Sequence, residues 1–388
     1  MKNIVFTGLQ PWYIKIGSNA KDIAVEMSKN YKVLYVNQPL PLPLVKKKSS
    51  NDIRVLGIEK INDNFYTLEL PMRTLPLGRI KINWLFDLFN YINNWRMAKS
   101  IRKACKQLGF SDYVHIIDND IYQSYYMKEM LDAKLTVYYR RDRLFLNPFW
   151  RPNAGRLAPK LVAKSDLVLT NSPYLADTVK EYNPNVHYVG QGVDLSMYDP
   201  MINYEKPSEL SALKGPIVGY VGTIVSIRLD ANLIYEVAKQ MTDINFVMVG
   251  PEDEAFASHK LHKLENVLFI PELPPQSLPQ YIAHFDICMN PQLINEVTIG
   301  NYPRKIDEYL AMGKPTIATD TPTMKIFADC VTLCTGTQEY IDAIHKLLSD
   351  GDTKELQAQR IAFANSHSWE NCVKLMCEKI EKTSNEKF

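Results

Sequence analysis

Short apolar runs alternate with longer amphipathic stretches along most of this chain. In the first half KNIVFTGL, KVLYVNQP, FYTLELP, YVHIID, LTVYYRRD and LVLTNS read as strands. Helical stretches lie between several of them; residues 18–29 place Ala20, Ile23, Ala24 and Met27 on one helical face. Near residue 200 the rhythm pauses. DPMINYEKPSELSALKGP is polar, carries Pro and Gly, and reads as a linker. The alternation then resumes with PIVGYVGTI, NFVMVGP, VLFIPEL, DICMNP and KPTIATD, and helices are expected over 230–241, 277–284 and 303–312. The tail, about 352–386, reads as helical and charged. Such βαβ alternation predicts an α/β protein of two doubly wound, Rossmann-like domains, over 1–200 and 210–365, facing a cleft. The last helix, about 366–388, is expected to pack back on the first domain. Ligands of open parallel sheets bind at the carboxyl ends of strands, so the loops there should carry the chemistry.

Two stretches break the pattern. PLPLPLVKKKSSND, residues 39–52, is Pro-rich and then basic; it reads as a solvated surface loop. In residues 82–109 Trp84, Leu85, Leu88, Phe89, Ile92 and Trp95 fall near helical spacing. Arg79, Lys81, Arg96, Lys99, Arg102, Lys103 and Lys106 flank them. Such a helix either lies in a membrane interface or packs on the sheet with a basic outer face.

Charge sharpens this picture. The net charge is only +2, but residues 1–200 hold 28 Lys and Arg against 18 Asp and Glu, and the remainder 17 against 25. The asymmetry suggests two domains with different partners, the first domain's being anionic. At 46% hydrophobic and 23% charged, the 388 residues suit ordinary globular packing and are enough for two domains. The six Cys form no CxxC pair and no His sits at ligand spacing, so no zinc site is expected; Cys288 reads as a core residue of a strand. MKNIVFTGL runs straight into a strand without a signal-peptide core, and no run of about 18 apolar residues exists. A reduced cytoplasm is the expected setting.

Two constellations carry chemistry. In GYVGTIVSIRLD, Gly222 and Thr223 end a strand and a helix begins near Asp230. Glycine allows close backbone approach, the helix N-terminus favours an anion, and Arg228 suits a phosphate. Neither GxGxxG nor GxxxxGK[ST] is present, which argues against a dehydrogenase and a P-loop enzyme. The second is NYPRKIDEYLAMGKPTIATD, where Lys305 and Glu308, at i and i+3, share a helix face. An ammonium suits phosphate and a carboxylate suits ribose hydroxyls, so a nucleoside diphosphate would engage both. Gly300, Asn301 and Tyr302 supply flexible backbone just before that helix.

EYLAMGKPTIATD resembles a segment of GT-B glycosyltransferases of the large retaining, glycogen-synthase-like (group 1) family. SDLVLTNSPYLADTVKEY, VHYVGQGVDLSMYDP, FVMVGPED and ENVLFIPELPPQSLPQYIAHFDICMNP appear in that family's order, over most of the chain. The nearest resemblance is to bacterial cell-surface polysaccharide enzymes, including the teichuronic-acid type. It implies a donor-binding second domain and an acceptor-binding first domain. Glu308 would hold the donor's ribose, and Lys305 and Arg228 the diphosphate leaving group, with no metal and no cofactor. Pro271, Glu272 and Leu273 would touch the base. Gly17 would cover the donor phosphates; alternatively it only precedes a helix capped by Ser18 or Asn19. The partners implied are a nucleoside-diphosphate sugar and a glycan or lipid-linked acceptor in capsule-like polysaccharide synthesis. The site would be cytoplasmic or peripheral on the inner, anionic membrane face, with no nucleic acid involved.

The chain departs from the family in places. Gly300 stands where many members carry the first acidic residue of an E-x7-E pair, and Gln191 replaces the Asn of NGVD. His115 lies inside its strand and reads as a core histidine. Asp118 and Asp120 are expected past that strand's end, facing the cleft, with Asp118 the leading group at the acceptor hydroxyl and Asp142 second. In a retaining reaction Asp118 would orient rather than deprotonate. Arg140, Arg141 and Arg143 either bind an anionic acceptor or pair with Asp142. Two other readings of the fold stand beside this one. One is a nucleotide-sugar 2-epimerase, whose His/Glu-rich cleft is not seen; the other is a non-catalytic nucleotide-sugar-binding protein.

Overall fold

The computed structural model describes residues 2–14, 17–42, 56–78, 80–142, 144 and 149–387. The chain folds as two compact units, one of residues 1–192 and 369–388, the other of residues 193–368. The basic run of the 39–52 loop, Arg79 and Arg143 lie outside the described residues.

Unit 1 is built on eight strands: β1 (Asn3–Gly8), β2 (Lys32–Val36), β3 (Gly57–Lys60), β4 (Phe65–Glu69), β5 (Tyr113–Asp118), β6 (Leu135–Arg140), β7 (Leu167–Thr170) and β8 (Val186–Tyr188). Their order is β3-β4-β2-β1-β5-β6-β7-β8, parallel except for β3 against β4. The central strands are apolar on both faces because helices cover both, as a parallel sheet requires. One face takes α1 (Asn19–Ser28), which buries Ala20, Ile23, Ala24 and Met27. The helix Trp369–Lys387 joins it there and places Trp369, Val373, Met376 and Ile380 in the same core. Gly192 shows how tight this return is: a Cβ there would lie 2.1 Å from the Trp369 ring. The other face takes α2 (Asn83–Leu108), ended by Gly109 in the left-handed region at φ 67°.

Unit 2 holds β9 (Ile217–Val221), β10 (Asn245–Val249), β11 (Val267–Ile270), β12 (Ile287–Asn290), β13 (Thr316–Thr319) and β14 (Thr332–Cys334). All pairs are parallel, in the order β11-β10-β9-β12-β13-β14. The chain reverses its direction of progress between β9 and β12, the topological switch point where open α/β sheets hold ligands. Cys288 is fully buried in β12.

Residues 199–216 are not a free linker. Tyr198 and Leu210 are buried in the unit 2 core, and the Tyr204 carbonyl lies 3.0 Å from His284 Nε2. Polar composition hid these anchors. The edge strand β3, exposed or half-exposed throughout, was equally invisible to an apolar-run reading.

Candidate active site

In unit 2 the helix Lys305–Ala311 is fastened to the end of β9. The Tyr309 hydroxyl accepts from the Val221 amide at 2.8 Å and donates to its carbonyl at 3.3 Å. One turn earlier, Lys305 Nζ donates to the Tyr220 hydroxyl at 2.6 Å and stands 4.3 Å from that ring's centre. The same hydroxyl donates to the Thr223 carbonyl at 3.0 Å. Tyr220 is buried, so the ammonium is held by a rigid group. The next residue but one, Gly222, has φ 137°, and a Cβ there would sit 3.1 Å from Lys305 Nζ. Gly250, at the end of β10, has φ 143°, and its Cβ would strike the Gly222 carbonyl at 2.1 Å. Both glycines are required: one leaves room for the ammonium, the other lets two backbones touch.

Among the described residues, no ion pair joins Lys305 to Glu308. Burial raises the Glu308 carboxyl above its ordinary range, while Arg304, Lys305 and a hydrogen bond from Tyr198 draw it back. Thr223, next to Gly222, and Arg228 are exposed, and Pro271, Glu272 and half-buried Leu273 follow the edge strand β11.

Two expected anion seats are altered. The helix Ala231–Gln240 is capped by Asp230, whose carboxylate accepts from the Asn232 and Leu233 amides, so its N-terminus is already satisfied. Tyr302 turns inward: its hydroxyl donates to Asp307 Oδ2 at 2.8 Å, and His367 Nδ1 lies 2.7 Å from Asp307 Oδ1. Asp307 is fully buried, and that burial raises its carboxyl. Gly300 is buried and Asn301 donates its amide to the Thr298 carbonyl, so this backbone is a closed turn.

In unit 1 the switch point lies between β1 and β5, where Gly8 pairs with Asp118. Asp118 does not extend past the strand: it is the last residue of β5 and fully buried. Arg141 grips both its oxygens, from Nε at 2.8 Å and Nη2 at 3.1 Å, and reaches the half-exposed Asp142 from Nη1 at 2.8 Å. Arg140 instead donates to Thr178 Oγ1 at 3.1 Å. Asp120 is also buried. Its Oδ1 accepts from the Tyr122 and Gln123 amides, and its Oδ2 accepts from Ser124. Burial pushes its carboxyl up to about 6. The chain continues through Thr7 to His115 Nε2, with contacts of 3.0 and 2.9 Å. Burial lowers His115 to about 3, so it is a neutral core histidine. Gly17 is exposed ahead of Ser18, which caps α1, and Gln191 Oε1 accepts from both Asn19 and Asn171.

Residues 215–350 match the family described as glycosyl transferases group 1. TuaH of Bacillus subtilis (strain 168), assigned to teichuronic acid biosynthesis as a glycosyltransferase, is 27% identical over 232 residues, 55% of this chain and 56% of that one. The alignment thus spans little more than half of that relative. Solved structures share the fold across the whole chain. Sucrose-phosphate synthase of Thermosynechococcus elongatus gives a TM-score of 0.68 at 12% identity, covering 98% of this chain and 99% of its own. Trehalose 6-phosphate synthase of Burkholderia multivorans gives 0.69 at 10%, covering 100% of both. HepE of Anabaena, solved with UDP, gives 0.63 at 14%, covering 98% and 100%.

Residues 215–350 thus resemble a group 1 glycosyltransferase domain, and the chain has the GT-B fold. In this GT-B chain five residues around the candidate site escaped sequence reasoning. Tyr220 stands 85 positions from Lys305 and reads as a strand residue. Gly250, Tyr198 and the Asp307–His367 pair have no local signature either. Only the Gly pair in GYVG pointed toward Tyr220.

Proposed function

We propose that this protein transfers a sugar from a nucleoside-diphosphate sugar to a glycan or lipid-linked acceptor in bacterial surface polysaccharide synthesis. The observation that carries this reading is the Lys305 ammonium, fixed by Tyr220 over Gly222 at the switch point, with Glu308 one turn on and not ion-paired to it. Negative charge develops on the departing diphosphate as the glycosidic bond breaks. A preplaced ammonium stabilises that charge without reorganisation, which supports a metal-independent reaction. Glu308 suits the ribose hydroxyls, and Arg228 is free at the surface to close on the phosphates. The complex of HepE with UDP supports a uridine nucleotide as the first donor to try.

Because Arg141 occupies both Asp118 oxygens, Asp118 orients the acceptor loop rather than taking a proton. Asp142 is the accessible carboxylate of that group. A retaining reaction, in which the leaving phosphate receives the acceptor proton, fits this arrangement. The setting proposed is the cytoplasmic face of the membrane, where a lipid-linked acceptor would reside.

The test is thermal stabilisation by UDP, GDP, CMP, ADP and dTDP without added metal. A shift with one diphosphate that disappears in Lys305→Ala supports the donor site. No shift with any nucleotide overturns it.

A further inference from the structure

The surface of α2 carries a feature the donor site does not use. Trp84, Leu88, Tyr91 and Trp95 are 67%, 47%, 50% and 48% exposed. They recur at i, i+4, i+7 and i+11, so they share one stripe about 60° wide. Leu85, Phe89 and Ile92, expected on the same side, are partly buried instead. The opposite face is fixed to unit 1 by Phe86, Met97 and Ile101 and by Asn93, which bonds both backbone groups of Leu75.

The arc changes character along the helix. After Trp95 the same line continues with Lys99, Arg102 and Lys106, all exposed. Lys99 Nζ stands 5.8 Å from the centre of the Trp95 ring, joining the two halves. Asp87 is the single acidic residue of the helix, and Arg156 neutralises it through two bonds of 2.8 and 2.9 Å. The helix thus presents amphipathic rings and then cations, with no free negative charge.

We infer that α2 lies along an anionic lipid surface, its first three turns seated among the headgroups and its last three held by lipid phosphates. Trp and Tyr place an apolar body and a polar tip at such a boundary. The cations supply the second signal that a short apolar stripe needs for stable attachment. No described helix is long and apolar enough to cross a membrane, so the contact is interfacial. A second copy of the chain fits less well, because pairing two such helices face to face would bring the cationic stripes together. This inference rests on the reading of a membrane-borne acceptor, but its test does not need the acceptor.

The experiment is flotation of the full chain with phosphatidylcholine vesicles, with and without phosphatidylglycerol, at low and high salt. Binding is expected only with phosphatidylglycerol, weakened by salt, with a blue shift of tryptophan emission. Lys99→Glu with Arg102→Glu should weaken it at least about tenfold. Trp84→Ser with Trp95→Ser should also release the protein, while stabilisation by the nucleoside diphosphate stays as in the wild type. Indifference to phosphatidylglycerol, binding that survives both double variants, or concentration-dependent dimers abolished by the Trp variant would overturn the inference. Loss of nucleotide stabilisation in the wild type would instead strike the donor reading.

Discussion

The two switch points of this molecule are built alike and finished differently. In unit 2 the end of β9 leaves an ammonium with one hydrogen-bond partner among the described residues, a glycine clearing space beside it, and a carboxylate one turn away. In unit 1 the end of β5 is closed. Asp118, Arg141 and Asp142 satisfy one another, and Asp120, Ser124, Thr7 and His115 form a buried chain behind them. A site that waits for a ligand keeps its charge underpaired; a scaffold pairs it. On the function proposed above, the first kind of end would bind the donor, while the second shapes the loops around it.

The largest way to break this contrast is to open the closed end. Arg141→Ala leaves the Asp118 carboxylate buried and alone. Urea unfolding should show a loss of about 3–5 kcal/mol. Nucleoside-diphosphate affinity should stay unchanged, because Lys305 and Glu308, the proposed donor residues, lie in unit 2. A variant as stable as the wild type would mean that water replaces the guanidinium.

The buried chain makes an intermediate prediction about pH. His115 has a folded pKa of about 3 against an ordinary 6.5, so the unfolded state binds the extra proton and stability rises with pH between those values. Asp120 has a folded pKa of about 6 against 3.8, so the folded state binds the extra proton and stability falls as pH rises through that window. The two slopes oppose each other between pH 4 and 6. Asp120→Asn removes the falling one, and stability should then rise more steeply there, by about 1.4 kcal/mol per pH unit. Parallel pH curves for variant and wild type would show that Asp120 titrates normally.

The open end gives the smallest effects, and they are graded. Lys305→Ala and Glu308→Ala should each weaken nucleoside-diphosphate binding by about 1–3 kcal/mol, read by calorimetry. Tyr220→Phe keeps the ring under the ammonium but removes the hydroxyl, and should cost about 1 kcal/mol for the diphosphate and nothing for the nucleoside. Equal losses for both ligands would make Tyr220 a packing residue rather than a positioning one.

Much of the architecture was legible because parallel sheets write themselves as apolar runs. Lys305 and Glu308 were legible because three residues make nearly one helical turn. What stayed hidden was pairing at a distance. Arg141 lies 23 positions from Asp118, and Tyr220 85 from Lys305; no local pattern links them. The expected linker failed for a similar reason, since two buried side chains, Tyr198 and Leu210, anchored a polar stretch. Asp118 was expected past the end of its strand, but it is that strand's last residue and is buried.

The return of the helix Trp369–Lys387 to α1 has a consequence for biosynthesis. Unit 2 is contiguous, so a ribosome delivers its whole core before residues 369–387 appear. Unit 1, although begun first, lacks Trp369, Val373, Met376 and Ile380 until then. The half made first is completed last, and until the final helix emerges the α1 face of its sheet stays open to chaperones and proteases.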